Sequence, residues 1–366
     1  MAANHKILVL TPAVTARGGV SNYFQALKNK FTWQVDYQLR GARDWPYRKS
    51  RLQEALRTVK DVWGFGYRLA TSDYSIIQTN TTFDRKGVAR DALFLLVSRA
   101  FNIRKVVFFR GWVDSMEADI DNGYLRYFRW FYFWVDAMLV LSRHQEIRLR
   151  EWGYKGRIFI ETTLVDEALI EGWSEDKLQQ KFAGDHQQIN LLYLARVEVA
   201  KGIYETLDTY QLLVNKYPNL HLSIAGDGTE DEAVQRKIEQ ESIPRVTILG
   251  HVSDDAKIKA YQQADIYIFL SYAEGMPNSV LEAMAFGLPV VTRAVGGLVD
   301  FFENGKHGFI TETKDPVIIA DIVQQLLDDK SKRAQIGINN YRYASERFTT
   351  SQVVARLETI YASLLQ

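Results

Sequence analysis

Short apolar runs alternate with helix-periodic stretches along the whole chain, and few folds accommodate that alternation. In the first half the runs fall at 7–10, 76–78, 106–109 and 137–141. In the second they fall at 190–194, 222–225, 247–249, 266–270, 290–292 and 308–310. Strands that are apolar on both faces must be covered on both faces. With a helical pattern between each pair, the economical solution is a parallel sheet built from βαβ units. A chain of 366 residues is too long for one such core and suits two domains. Residues 171–188 are polar and weakly periodic, so a linker is expected there. The expectation is α/β: two doubly wound, Rossmann-like domains over 1–170 and 189–349. They would face each other across a cleft, with ligands at the carboxyl ends of the strands.

Composition removes several alternatives. There is no cysteine, so neither a disulfide framework nor a thiolate metal site is available. His5, His144, His186, His221, His251 and His307 are scattered, and no two stand at helical ligand spacing. The most apolar stretch, 124–141, carries Arg126, Arg129 and Asp136, which argues against a membrane span. The run at 7–10 is too short for a leader and reads as a first strand. A cytoplasmic protein is expected. The net charge of +1 conceals an asymmetry, because residues 1–170 hold 26 Lys and Arg against 17 Asp and Glu. Within them, 37–111 holds 15 basic and 6 acidic residues. A basic first half suits an anionic partner, although a solvated basic helix face would look the same.

The densest chemical signal is Glu274-Gly275-Met276-Pro277-Asn278-Ser279, continuing to Glu282 and then Gly287, Leu288 and Pro289. Gly275 and Pro277 open a loop after an apolar strand. Asn278 is the expected N-cap of a helix carrying Val280, Leu281, Met284 and Ala285, and Gly287 is its expected stop. One carboxylate would sit on the loop and the other about a turn into the helix. Between them, unpaired N–H groups of the helix start would hold a phosphate or a sugar oxygen.

Two glutamates at this spacing, followed by Ala-Met-Ala-x-Gly-x-Pro-Val-Val, resemble the retaining nucleotide-sugar glycosyltransferases of family 4 (group 1), which have the GT-B fold. Further segments extend the resemblance. Ala195-Arg196 followed by Lys201-Gly202 is similar to the family's Gly-Arg-x(n)-Lys-Gly, whose cations hold the donor diphosphate; Ala195 replaces the usual glycine. Fixed positive charge there would stabilise the departing diphosphate, the work a metal does in other transferases. Gly226-Asp227-Gly228 lacks the third glycine of a dinucleotide fingerprint and reads as loop packing. His251 and Val252 lie where the family places backbone against the base, and His251 either stacks on that base or fills an exposed turn. Gly296-Gly297 is another family-like turn near the donor phosphates.

In the first half, Gly18-Gly19 at a helix start matches a family glycine pair that lets donor phosphate and acceptor approach. After the strand at 106–109 the family often has a histidine, where this chain has Arg110. That departure removes the histidine contact and makes Arg110 a candidate for a phosphate of donor or acceptor. Asp119-Ile120-Asp121 matches a metal motif of another transferase fold, but it ends no buried strand and reads as chance. Residues 40–68 interleave Trp45, Tyr47, Trp63, Phe65 and Tyr67 with basic side chains, which suits an anionic membrane surface better than nucleic acid. The aromatic run 124–134 reads chiefly as core.

The resemblance implies a retaining hexosyltransferase that uses neither metal nor cofactor, with a UDP- or GDP-sugar donor. The acceptor would be a saccharide or lipid-linked saccharide at the inner membrane face, in polysaccharide or glycolipid assembly. The implied catalytic residues are Glu274, Arg196 and Lys201. Gly19, His251, Val252, Gly275, Met276, Pro277, Asn278, Ser279 and Glu282 complete the donor site, with Glu282 on the ribose. Gly18 and Arg110 face the acceptor. The C-terminal helix, about 350–366, would cross back to the first domain. Two other readings stay open: a non-catalytic scaffold of a glycosylation complex, and a sugar-nucleotide epimerase or phosphorylase of the same fold.

Overall fold

The computed structural model describes residues 5–13, 19–41, 50–184 and 188–366. It divides into two units: residues 1–163 with 350–366, and residues 164–349.

In the first unit, strands β1 (Lys6–Thr11), β2 (Gln34–Leu39), β3 (Ile76–Phe83), β4 (Arg104–Trp112), β5 (Ala137–Val140) and β6 (Arg157–Ile160) pair in parallel in the order β2-β1-β3-β4-β5-β6. Strands β2 and β6 carry no clear apolar run because they are sheet edges, half-exposed along their length. Strand β3 runs five residues past the apolar stretch that announces it. Its middle, Gln78 to Thr81, is buried although polar, so a search for apolar runs ends too soon.

The second unit has β7 (Ile189–Leu194), β8 (Leu220–Ala225), β9 (Val246–Gly250), β10 (Ile266–Phe269), β11 (Val290–Arg293) and β12 (Gly308–Thr311). They form a parallel sheet ordered β12-β11-β10-β7-β8-β9. The chain reverses its direction of travel between β7 and β10, and ligands of doubly wound sheets bind at such a reversal.

Two boundaries differ from the sequence reading. Residues 171–188, expected as a linker, lie inside the second unit. The helix Glu175–Ala183 is capped by Ser174, and Arg342 holds Glu175 at 2.6 Å. Leu178 is its single buried side chain, which explains the weak apolar period. The unit begins earlier, at Leu164, where the Val165 N–H donates to Phe348 O at 2.7 Å. The terminal helix Thr350–Leu365 belongs to the first unit. It buries Val353, Val354, Leu357, Tyr361 and Leu364 there. Tyr361 donates to Gln78 at 2.7 Å, and Arg356 pairs with buried Glu161 at 2.7 Å. Of the aromatic run, Phe128 and Tyr132 are core, whereas Tyr124, Tyr127 and Trp130 are exposed.

Candidate functional site

The loops leaving β7 and β10 are joined backbone to backbone, because the Tyr272 N–H donates to Ala200 O at 2.9 Å. Gly202 makes the approach possible. Its φ is +72°, and a Cβ there would stand 2.3 Å from Leu270 O. Two buried tyrosines support the β7 loop from beneath, Tyr193 donating to Arg196 O at 2.8 Å and Tyr267 to Leu194 O at 3.0 Å. Burial raises the pKa of both hydroxyls, so they stay protonated as donors.

On this frame Lys201 reaches Glu274. Its Nζ donates to Oε1 at 2.5 Å, and the buried Ser271 hydroxyl donates to the same oxygen at 2.9 Å. Both charged side chains are largely shielded from solvent, so removing either would leave the other poorly compensated. Gly296 closes the far side. Its φ is +52°, and a Cβ there would lie 2.4 Å from Glu274 O and 2.2 Å from Gly275 O. The Gly297 N–H donates to Gly275 O at 2.8 Å.

The helix after this loop starts differently from the sequence reading. Asn278 is its first residue rather than its cap; Pro277 holds the cap position, and no side chain caps the end. The N–H groups of Asn278 and Ser279 therefore have no acceptor among the described residues. Gly275 and buried Met276 complete the turn. Such a start presents donors and the positive end of the helix dipole to an anion or a polar hydroxyl.

Glu282 lies further along the same helix, buried, with a partner at each carboxylate oxygen. Lys257 Nζ stands 2.7 Å from its carboxylate, and the Tyr261 hydroxyl donates to it at 2.9 Å. Burial, with the Glu282 charge beside it, holds the Tyr261 pKa well above 10. Sequence reading missed Lys257, Tyr261 and Ser271. Lys257 and Tyr261 stand four apart in a polar helix, Asp254–Gln263, which looks like ordinary solvated surface until Glu282 is set against it.

Not every expected residue joins this cluster. Arg196 is exposed and pairs with Glu198 at 2.5 Å, so only Lys201 of the two cations meets Glu274. His251 and Val252 follow β9, the sheet edge, and His251 Nδ1 lies 3.5 Å from Asp227. Gly226 and Gly228 serve backbone packing, since a Cβ at either would collide with Ala195 O or Val197 O.

In the first unit, Gly19 opens the helix Gly19–Leu27, while Gly18 lies outside the described residues. Arg110 is buried near the end of β4. The aspartates of the Asp-x-Asp match are taken up by neighbours: Asp119 pairs with Arg85, and Asp121 accepts from Arg148 at 2.5 Å and from Trp152 at 2.8 Å. Among the described residues no three His, Asp or Glu side chains are grouped as metal ligands.

Residues 174–343 match the family model described as glycosyl transferases group 1. The second unit therefore belongs to the group 1 glycosyltransferases. Over 199 residues the chain is 31% identical to the capsular polysaccharide biosynthesis glycosyltransferase CapM of Staphylococcus aureus, covering 52% of this chain and 50% of that one. Over 203 residues it is 25% identical to the N-acetyl-alpha-D-glucosaminyl L-malate synthase of Bacillus anthracis, covering 55% and 52%. The chain thus matches about half the length of these curated relatives. Among solved structures, a sucrose-phosphate synthase from Thermosynechococcus elongatus superposes with a TM-score of 0.77 at 20% identity, covering 98% and 99% of the two chains. HepE of Anabaena, in complex with UDP-glucose, superposes with a TM-score of 0.70 at 18% identity, again over 98% and 99%. The fold is GT-B.

Proposed function

We propose that this chain is a retaining glycosyltransferase moving a hexosyl unit from a UDP- or GDP-sugar to a saccharide or lipid-linked saccharide. The observation that carries the proposal is the Lys201–Glu274 pair at the β7/β10 reversal, beside the open helix start at Asn278 and Ser279. A nucleotide sugar presents a diphosphate for a cation and hydroxyls for a carboxylate. Lys201 is positioned to move from Glu274 to the diphosphate, which frees Glu274 for the sugar. The first-turn N–H groups face growing negative charge on the leaving phosphate, and this differential stabilisation accelerates departure. Glu282, oriented by Lys257 and Tyr261, keeps acceptor capacity for ribose hydroxyls. Arg196 closes on the diphosphate from its exposed position. The departing phosphate oxygen takes the acceptor's proton, so no separate base is assigned. No metal and no cofactor are assigned either.

A membrane-side acceptor has its own support. The helix Arg51–Thr71 turns Leu52, Leu56, Val59, Trp63 and Tyr67 outward as one stripe, each 61–73% exposed, with Lys60 exposed among them. Large apolar side chains in such a stripe suit the interfacial region of a bilayer, and flanking cations suit anionic lipid. Residues 42–49, the rest of the basic-aromatic segment, lie outside the described residues. No described helix is long and apolar enough to cross a membrane.

A thermal-shift screen of the chain against UDP, GDP, ADP and their sugars tests the donor assignment, since a ligand bound to the native state raises its stability by mass action. A midpoint raised by one nucleotide and its sugar is expected. No response to any of them removes the reading. An epimerase would alter the donor sugar without an acceptor, which NMR of the reaction mixture would reveal.

A further inference from the structure

Outside the β7/β10 site, the Arg110 guanidinium is a buried charge whose hydrogen bonding is incomplete. The side chain is only 7% exposed. Nε donates to Asn80 Oδ1 at 3.3 Å, but Nη1 and Nη2 are buried with no hydrogen-bond partner. Nearby Glu161 is bonded to Arg356 and does not reach it. A buried cation with two idle donor groups is a costly arrangement unless an acceptor arrives.

The local backbone explains how Arg110 comes to stand there. The β3–β4 register passes from Thr81 opposite Phe109 to Thr82 opposite Gly111, so Arg110 is the extra residue of a bulge. A bulge re-aims a side chain and is common beside functional sites. Here the guanidinium is gripped between two rings, its Cζ 3.5 Å from the Tyr23 centroid and 3.7 Å from that of Phe108. Asn80 is itself fixed, donating to Leu10 O at 2.9 Å and accepting from Gln78 at 3.1 Å. Tyr23 lies just past the first turn of the nine-residue helix Gly19–Leu27, and its hydroxyl is buried with no hydrogen-bond partner as well. Stacking fixes the plane of the fork and Asn80 fixes its rotation, so the two Nη groups are oriented before any ligand binds.

The geometry points to a second anion site, within the first unit, in which Arg110 gives both terminal nitrogens to a phosphoryl group against the first turn of the helix Gly19–Leu27. The site stands on the first unit alone; only the description of its ligand as a substrate rests on the transferase reading. A planar fork matches two phosphate oxygens, which an ammonium cannot reproduce. The phosphoryl group belongs either to the donor or to the acceptor.

The test uses inorganic phosphate and the whole chain carrying Lys201→Ala, so that phosphate held by the second unit contributes little. Melting midpoints are followed against phosphate at constant ionic strength, with and without Arg110→Gln or Arg110→Lys. Phosphate should raise the midpoint, and Arg110→Gln should raise the half-saturating concentration by about tenfold or more. Arg110→Lys should fall between, because it keeps charge and loses the fork. No phosphate response before substitution overturns the site, and so does an unchanged response in folded Arg110→Gln. If that variant fails to fold, an unchanged response in Arg110→Lys overturns it equally. Repeating the titration on the chain without Lys201→Ala under saturating UDP separates the sources. A persisting Arg110-dependent shift assigns the site to an acceptor phosphate, and an abolished one to the donor's. A chain that binds phosphate through Arg110 yet no nucleotide sugar would keep this site and remove the transferase reading.

Discussion

The two units solve the same topological problem with different materials. Each is a parallel sheet that reverses its direction of travel, in the first unit between β1 and β3 and in the second between β7 and β10. In the second, both strands at the reversal are apolar, and the chemistry sits on loops above them. Each carboxylate there already has a lysine, Lys201 for Glu274 and Lys257 for Glu282. In the first, polarity enters the sheet itself. Gln78, Thr79, Asn80 and Thr81 are buried, and Arg110 stands among them with idle donors. Charge balanced before binding suits a ligand that exchanges partners with the protein. Charge left unbalanced suits a ligand that completes it. The difference teaches that a shared fold fixes where a ligand binds, while local pairing decides what kind of group it accepts.

The largest expected effect tests the balanced side. Lys201→Ala or Glu274→Gln should lower turnover by about a hundredfold or more, because the interaction strengthens as the diphosphate leaves. Nucleotide affinity should fall less in Glu274→Gln, whose proposed ligand partner is the sugar. Steady-state kinetics beside calorimetry with free nucleotide separates these, and near-parental turnover in both variants would break the comparison. Arg196→Ala should cost less, roughly tenfold, because that side chain is exposed and must close on its ligand. Equal losses for Arg196 and Lys201 would mean that the pairing seen here has little bearing on function.

Glu282→Gln should weaken nucleotide binding by about tenfold through its loss of charge-assisted contacts to ribose. It should also leave Lys257 without its carboxylate and lower the melting midpoint, which Lys257→Met combined with Glu282→Gln should partly restore. Unchanged nucleotide affinity in the single variant removes Glu282 from the donor site.

On the first unit the expected effect is smaller. Trp63→Ser should reduce partition onto anionic vesicles by roughly tenfold, the loss of one interfacial aromatic anchor. Lys60→Glu should reduce it a few-fold and flatten its salt dependence. Donor hydrolysis should be unaffected by either. Equal binding to neutral and anionic vesicles would remove the electrostatic part of the membrane reading. The smallest expected effect is none: turnover should persist in EDTA, because in the proposed site cations and the helix start would take the place of a metal. Activity lost to chelation and restored by Mn²⁺ would contradict that.

How far the sequence could be read follows the same division. Strands β7 to β12 are nearly all apolar runs, and the Glu274–Glu282 segment sits between two of them, so both fold and site were legible there. Strand β3 was cut short because its middle is polar, and Asn80, which holds Arg110, was missed with it. The bulge at Arg110 leaves no local mark, since it depends on how β4 registers against β3. Lys257 and Ser271 could not be found because their relation to the glutamates is tertiary. The helix cap was misplaced by one residue, as Asn278 is a good cap by type, while the fixed φ of Pro277 lets proline take that position.

The most direct test of the account is an NMR time course of a UDP- or GDP-sugar with the full chain in EDTA, without acceptor, run in parallel with Lys201→Ala. The account predicts slow release of the nucleoside diphosphate, with the sugar first appearing in the donor's own anomeric configuration, and little release by Lys201→Ala. No turnover of any such donor, first appearance of the inverted anomer, or equal rates for the two proteins would contradict it.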